Sequence, residues 1–251
     1  MALSINLIAD EDAVLYNRRV KINPRNGEVL EDVCASRPIF NPTHAERLQK
    51  PPRAPRKSQG EGNEPDGESC ARSAARARKE VFELCACNDF DLFFTLTLSP
   101  EEIDRYDYKA AVERLSVWLD NRVRRKGLRY VAVPELHKDG AVHFHGLCNA
   151  AAMRLVDSGH SDKGHTIYNI SDWKIGFTTS MRLYGDQTAA AHYIAKYVTK
   201  NTTSGTIGGR YYFHGGKLDK ARCLYYHENY DDFDGREVEI EGAGLVFRYA
   251  R

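Results

Sequence analysis

The sequence predicts an α+β fold in which a central antiparallel sheet carries helices packed on one face. Strand-like and helix-like segments follow one another in the order β-α-β-β-(β)-α between residues 93 and 200. A turn signal at residues 138–140 predicts that two of these strands form a hairpin. At 251 residues, the chain can bury one main domain with peripheral segments.

Composition divides the chain into four segments. Residues 1–50 lack sustained hydrophobic periodicity and are predicted to be an N-terminal arm. Residues 51–70 are rich in Pro, Gly and charge, which predicts a flexible linker. The folded domain is expected over residues 71–227, and residues 228–251 are expected to form an acidic C-terminal tail.

The first elements of the folded domain are set by residue type and periodicity. Residues 71–87 are rich in Ala, Arg and Glu and predict a helix. The β-branched and aromatic run at residues 93–98 predicts a buried strand. Residues 107–126 place apolar side chains on one stripe, which predicts an amphipathic helix that ends at Gly127.

The remaining elements follow from turn signals and alternation. Residues 148–175 contain several glycines and polar residues and are predicted to be irregular. Further strands are expected at 129–135, 142–147 and 176–184, a helix at 186–200, and edge strands at 210–213 and 245–249.

Charge is unevenly distributed although the formal net charge is only +1. Basic residues cluster at 72–79 and 122–129, and acidic residues gather at 228–241. A basic face beside an acidic tail is typical of a phosphate-binding protein. No apolar run approaches the roughly 20 residues that span a bilayer, so no membrane partner is expected and the cytoplasm is the expected location.

Two histidines separated by one residue, His143 and His145, lie on the same face of the predicted strand. A three-residue loop at 138–140 places Glu135 opposite His143, on the face that carries both imidazoles. A two-residue loop shifts the register by one and turns Glu135 away. His137 has the same parity as Glu135 and is the reserve ligand.

The carboxylate of Glu135 and the two imidazoles form a mixed oxygen and nitrogen ligand set. Such a set can hold Mg²⁺ or Mn²⁺ with positions left for a phosphate oxygen and water, and Zn²⁺ also fits these ligands. The alternative is that His143 and His145 are ordinary exposed or core histidines with no ligand.

The predicted helix at 186–200 carries two tyrosines one turn apart. At about 100° per residue, Tyr193, Lys196, Tyr197 and Lys200 share one arc. The opposite side should pack on the protein, so the tyrosines are not explained as core residues. A plain exposed face is the alternative. The packing side consists of Ala191, Ile194, Ala195 and Val198.

Tyrosine and lysine on one helix face fit nucleophilic attack on a phosphodiester. A phenol with a pKa near 10 needs about 4 kcal/mol to ionise at neutral pH. A nearby ammonium group and a cation on the phosphate both offset this cost. The product is a 5′-phosphotyrosyl bond and a free 3′-hydroxyl, and rejoining needs no ATP because one phosphodiester replaces another.

Residues 94–97, 143–147 and 193–200, in this order, resemble the three motifs of the HUH endonucleases. Within that superfamily, they are similar to the two-tyrosine rolling-circle replication initiators (Rep proteins) of phages and plasmids. The resemblance implies the HUH, split β-α-β nuclease fold and a Mg²⁺ or Mn²⁺ cofactor. It implies metal ligation by Glu135, His143 and His145, nucleophilic attack by Tyr193 and Tyr197, and charge stabilisation by Lys196 and Lys200.

The resemblance further implies an enzyme that nicks and rejoins single-stranded origin DNA, often within a hairpin, in a bacterial host cytoplasm. The chain has no G-x-x-x-x-G-K-[ST] motif, so a separate host helicase is expected alongside a polymerase. Three other functions remain open. They are an HUH transposase or relaxase, a nucleic-acid-binding module without catalysis, and a metal-dependent hydrolase that activates water and forms no covalent adduct.

Overall fold

A computed structural model describes residues 15–40, 67–185, 187–200, 206–207, 209–240 and 245–250. These residues form two compact units. The terminal unit draws on Met1–Asn63 and Lys220–Arg251, and the central unit on Glu64–Asp219. None of the helices in these ranges is long and apolar enough to cross a membrane.

The described elements are three helices and twelve strands. The helices are α1 (Gly67–Ala86), α2 (Tyr108–Lys126) and α3 (Gln187–Lys200). The strands are β1 (Leu15–Ile22), β2 (Val29–Phe40), β3 (Leu92–Leu98), β4 (Tyr130–Leu136), β5 (Val142–Cys148), β6 (Leu155–Asp162), β7 (His165–Ile170), β8 (Gly176–Arg182), β9 (Phe213–Gly215), β10 (Arg222–Tyr226), β11 (Arg236–Ile240) and β12 (Leu245–Tyr249).

The terminal unit is an antiparallel sheet with the strand order β10-β1-β2-β12-β11. Arg18 of β1 links two other parts of this unit. Its guanidinium lies 2.7 Å from the carboxylate of Asp32 in β2 and 2.8 Å from that of Glu228, which follows β10. The stretch expected to be an arm therefore contains β1 and β2, and the stretch expected to be an acidic tail contains β11 and β12. Most of the expected linker, residues 51–66, lies outside the described residues, while its last residues begin α1.

The central unit contains an antiparallel sheet with the strand order β6-β7-β8-β3-β5-β4-β9. This arrangement confirms the predicted α+β class with helices packed on a sheet. Strand β3 lies between β8 and β5, and β5 pairs in turn with β4. Strands β4 and β5, which carry Glu135, His143 and His145, therefore lie in the interior of the sheet.

Helices cover both faces of this sheet, whereas the sequence predicted helices on one face. Helix α2 buries Leu115 and Leu119 against Phe94, Leu96 and other residues of one face. Helices α1 and α3 pack together, and α3 also contacts β4 and β5. Because alternate strand residues point to opposite faces, the face beneath α3 is the one that carries His143 and His145.

The helix ends follow the sequence closely. Asp107 caps α2 by accepting a hydrogen bond from Ala110 N at 3.0 Å, and Gly127 ends the helix with a φ of 64°. The expectation of irregular structure at 148–175 was wrong, because β6 and β7 pair as a hairpin there. Most of their side chains are exposed or partly exposed, so the strands lack an apolar alternation that would reveal them.

Two short strands also differ from expectation. The strand predicted at 210–213 is β9, which begins at Phe213 and pairs with β4. The strand predicted at 245–249 is present as β12, but it is not an edge strand because it lies between β2 and β11.

Candidate active site

The hairpin of β4 and β5 sets the position of the carboxylate. His137 N donates a hydrogen bond to Ala141 O at 2.8 Å, and Gly140 adopts a φ of 87°. The loop is therefore the three-residue loop, which requires the left-handed conformation that glycine supplies. In the resulting register Glu135 pairs with His143, as the sequence predicted.

Two threonines of β3 orient the histidines of β5. Thr95 pairs with His145 and Thr97 pairs with His143 across the two strands. Thr95 Oγ1 lies 3.0 Å from His145 Nδ1, and Thr97 Oγ1 lies 3.4 Å from His143 Nδ1. A partner on Nδ1 fixes the ring and leaves Nε2 to face the site. The sequence reasoning missed this role, although both threonines share one strand parity.

The Glu135 carboxylate reaches the same site. Its Oε2 lies 2.7 Å from His145 Nε2, and both side chains are largely buried. Two ligand atoms at right angles on one Mg²⁺, each about 2.1 Å away, lie about 3 Å apart. The separation of Glu135 and His145 therefore fits two neighbouring ligands of one ion.

His143 is the third predicted ligand, but its ring lies against His137 and is not grouped with Glu135 and His145 around one position. Its ring stacks on His137 with 5.1 Å between centroids. Burial, followed by the nearby charge of His137, lowers the pKa of His143 and favours the neutral imidazole that binds metals. Within the described ranges, no three His, Cys, Asp or Glu side chains are grouped to hold an ion. A three-ligand site therefore requires the His143 side chain to rearrange.

Helix α3 brings a tyrosine against this site. Its apolar side is buried, as predicted, with Ile194 fully inaccessible to solvent. The Tyr197 ring stacks on His145, with 4.2 Å between centroids and 13° between planes. Tyr197 is only 7% exposed, so one of the two tyrosines on the predicted arc is in fact buried between helix and sheet.

Tyr193 lies one turn earlier and faces solvent, with 43% of its surface exposed. The Tyr197 hydroxyl donates a hydrogen bond to Tyr193 Oη at 2.7 Å. Lys196 Nζ lies 4.7 Å from the centroid of the Tyr193 ring, and Phe93 packs edge-on against the same ring at 5.6 Å. Burial and then the hydrogen bond to Tyr193 raise the pKa of Tyr197.

The two tyrosines are thus unequal. Tyr193 is accessible, accepts a hydrogen bond and has a cation beside its ring, whereas Tyr197 is buried and donates. Of the predicted residues of this helix, Lys200 forms the last position of α3, and its side chain lies outside the described residues. The structure places the others beside the histidine-bearing strand.

The segment that builds this site is similar to a known family. Residues 91–202 match a family of replication-associated proteins, the ORF2 family. The matched residues run from β3 to α3, cover just under half of the chain, and include both histidines and both tyrosines. The match supports a role in replication initiation. Searches of curated proteins and of solved structures find no match.

Proposed function

We propose that the central unit is an HUH endonuclease of the two-tyrosine type, which nicks single-stranded origin DNA to start rolling-circle replication and later rejoins it. The observation that carries this proposal is the contact between the tyrosine pair and the histidine strand. Tyr197 stacks on His145, which touches Glu135, and Tyr197 also binds the hydroxyl of Tyr193. The match to replication-associated proteins supports the same class of DNA chemistry.

The proposed reaction exchanges one phosphodiester for another. Tyr193 Oη attacks the phosphorus, the bond from phosphorus to the 3′ oxygen breaks, and a 5′-phosphotyrosyl bond forms. The phenol loses its proton and the departing 3′ oxygen gains one, so nothing is oxidised or reduced. The free 3′-hydroxyl then primes synthesis, and the reverse attack rejoins the strand.

We assign the first attack to Tyr193 because its hydroxyl is the more accessible of the two. The hydrogen bond from Tyr197 would stabilise negative charge on the Tyr193 oxygen, and the ammonium group of Lys196, 4.7 Å from the centroid of the same ring, would add to this effect. Tyr197 is the second nucleophile, which acts after the Tyr193 side chain carries a DNA end. Lys200 is proposed to stabilise phosphate charge beside Lys196.

The ligand set supports metal dependence of this reaction. Glu135, His143 and His145 would hold Mg²⁺ or Mn²⁺, which when bound supplies positive charge that polarises a phosphate oxygen. The Thr95 hydroxyl would keep the His145 imidazole turned toward that position, and the His143 side chain would rearrange to join it. We further propose that a host helicase and polymerase act with the protein, and that the nicked site lies in a hairpin.

The test is formation of a covalent adduct. A pool of single-stranded oligonucleotides of randomised sequence, each labelled at its 3′ end, is incubated with the protein and Mn²⁺. A labelled protein band that resists SDS is expected from wild type, and it should disappear with EDTA. The double variant Tyr193→Phe/Tyr197→Phe, which keeps both rings, should form none. Adduct in the double variant, or cleavage by wild type without adduct, rejects the tyrosine mechanism in favour of another nucleophile or an activated water.

A further inference from the structure

Phe177 is a large aromatic residue near the start of β8, an interior strand of the seven-stranded sheet, and yet is 71% exposed. It belongs to β8, where it pairs with Thr97 of β3. Thr97 pairs on its other side with His143, which pairs with Glu135. Directly opposed residues of antiparallel strands point to the same face, so the four residues form one row across the sheet. The exposed ring therefore lies in line with the candidate active site.

The surface around Phe177 differs from an apolar protein-binding patch. In the next row, Thr179 of β8 is exposed and pairs with Thr95, which contacts His145. None of the residues that β3, β5 and β8 present on this face is acidic. Phe177 is flanked on this face by Thr97 and Thr179, and an aromatic ring beside hydroxyl groups suits a stacked base beside a phosphate backbone. It does not offer the contiguous apolar area of a protein interface.

Helix α3 lies over the β4–β5 part of this face, whereas Phe177 on β8 is exposed. The helix contacts β4 and β5, and its tyrosines pack on His145 and Phe93. A chain that leaves the histidines can therefore continue across β3 toward β8. Two strand spacings separate His143 from Phe177 in this direction, about 10 Å. That distance is on the scale of one or two nucleotide steps of an extended strand.

We propose that Phe177 is a DNA-binding residue that stacks on an unpaired base next to the scissile phosphate. The substrate strand would run from the histidines over Thr97 to this ring. The inference rests on the proposed function for the place of the scissile phosphate, but stacking itself requires only a single-stranded nucleic acid. In duplex DNA the bases stack on one another, so the contact selects an unpaired strand.

Binding of fluorescein-labelled oligodeoxythymidine of about 16 nucleotides tests the stacking directly. Phe177→Ala should weaken binding roughly tenfold, the loss expected for one base–aromatic stack. Phe177→Tyr should keep most of the affinity. The matched control is Val117→Ala, which removes another exposed hydrophobic side chain, 61% exposed, from α2 on the opposite face. Equal affinities of Phe177→Ala and wild type would overturn the proposal.

A spectroscopic arm separates stacking from a general loss of structure. The indole added by Phe177→Trp should lose emission when oligodeoxythymidine binds, measured as the difference from wild type. The indole added by Val117→Trp should not change. Emission of Phe177→Trp that is unaffected by saturating DNA would contradict a stacked base at this position.

Cleavable oligonucleotides with one abasic site locate the contacted base. An abasic site at that position should weaken wild-type binding by the same factor as Phe177→Ala, and the variant should lose nothing further there. Independent losses at every position would reject the contact. If wild type forms no covalent adduct, the proposed function fails while the binding arm still decides on stacking. If adducts form but Phe177→Ala binds normally, the stacking proposal alone fails.

Discussion

The two faces of the seven-stranded sheet are built from alternate residues of the same strands but have opposite character. Beneath α2, Phe94 and Phe144 are completely buried within an apolar core. On the other face, Thr95, His143 and His145 stay partly accessible, and the Thr95 hydroxyl lies 3.0 Å from His145 Nδ1. We therefore expect residues on the α2 face to determine stability and their sequence neighbours on the opposite face to take part in the proposed reaction. Substitutions one position apart should separate the two properties.

The largest expected effect is on the chemical face. His143→Ala should lower the rate of adduct formation by more than about 100-fold. Loss of a residue that only hydrogen-bonds to a metal ligand costs up to about 100-fold, and loss of the ligand itself should cost more. The partly exposed side chain contributes little to the core, so the urea midpoint should stay close to that of wild type. Retained cleavage in this variant would remove His143 from the site.

The neighbouring residue should show the reverse pattern. Phe144→Ala empties a fully buried position of the α2 core and should destabilise the protein by about 3–5 kcal/mol. Below the unfolding transition, the folded fraction should still form adduct, because the ring points away from the histidines. Urea unfolding gives the free energy, and adduct yield is corrected for the folded fraction. A loss of chemistry that exceeds the loss of folded protein would show that the two faces are not independent.

A subtler change tests the threonine contacts. Thr95→Val keeps the shape of the side chain but removes the hydroxyl that lies 3.0 Å from His145 Nδ1. Adduct formation should fall about 10- to 100-fold, with little change in unfolding free energy. Thr166→Val is the matched control, since Thr166 is a partly exposed strand threonine of β7 that pairs with Ser161 of β6. Equal rates for both variants would mean that Thr95 does not orient the imidazole.

The smallest effect concerns an ion pair between α2 and the turn after β7. Arg122 Nη2 lies 2.7 Å from the Asp172 carboxylate. Burial, the largest single influence, raises the pKa of Asp172, but hydrogen bonds from Arg122 and from Arg154 N outweigh it and lower the pKa. The stabilisation should therefore be present above the unfolded-state pKa of about 4 and vanish as the pH falls through the lower folded-state value.

Asp172→Asn measures this contribution. The variant should be less stable than wild type by at most about 1 kcal/mol near neutral pH, because solvent screens the partly exposed pair. The difference should shrink in urea unfolding as the pH falls well below about 4. A difference that grows on acidification would have the wrong sign for a carboxylate with a lowered pKa.

Much of the candidate site could be predicted because its determinants are local. Three residues of loop, ending in Gly140, fix the pairing of Glu135 with His143. Helical periodicity likewise identified the buried side of α3. It did not show that Tyr197 is buried against His145, since that contact depends on where the helix packs on the sheet.

Apart from the strand at 245–249, the terminal unit could not be predicted, for the opposite reason. Its central pairing joins Ala35 of β2 to Phe247 of β12, residues from the two ends of the chain, and no local pattern marks such a contact. The β6–β7 hairpin did carry a local signal in the sequence, namely the glycine at its turn. Lys163 and Gly164 form this turn, and both have positive φ. The exposed polar strands on either side concealed it.

The residue to which the DNA becomes attached distinguishes the proposed reaction from its alternatives. Wild-type adduct formed in a single turnover is digested with nuclease and protease, and mass spectrometry locates the residual nucleotide. We expect a nucleotide on Tyr193, and on Tyr197 in the Tyr193→Phe variant if that variant reacts. A nucleotide on any residue outside this helix would contradict a phenol of α3 acting beside the paired imidazoles.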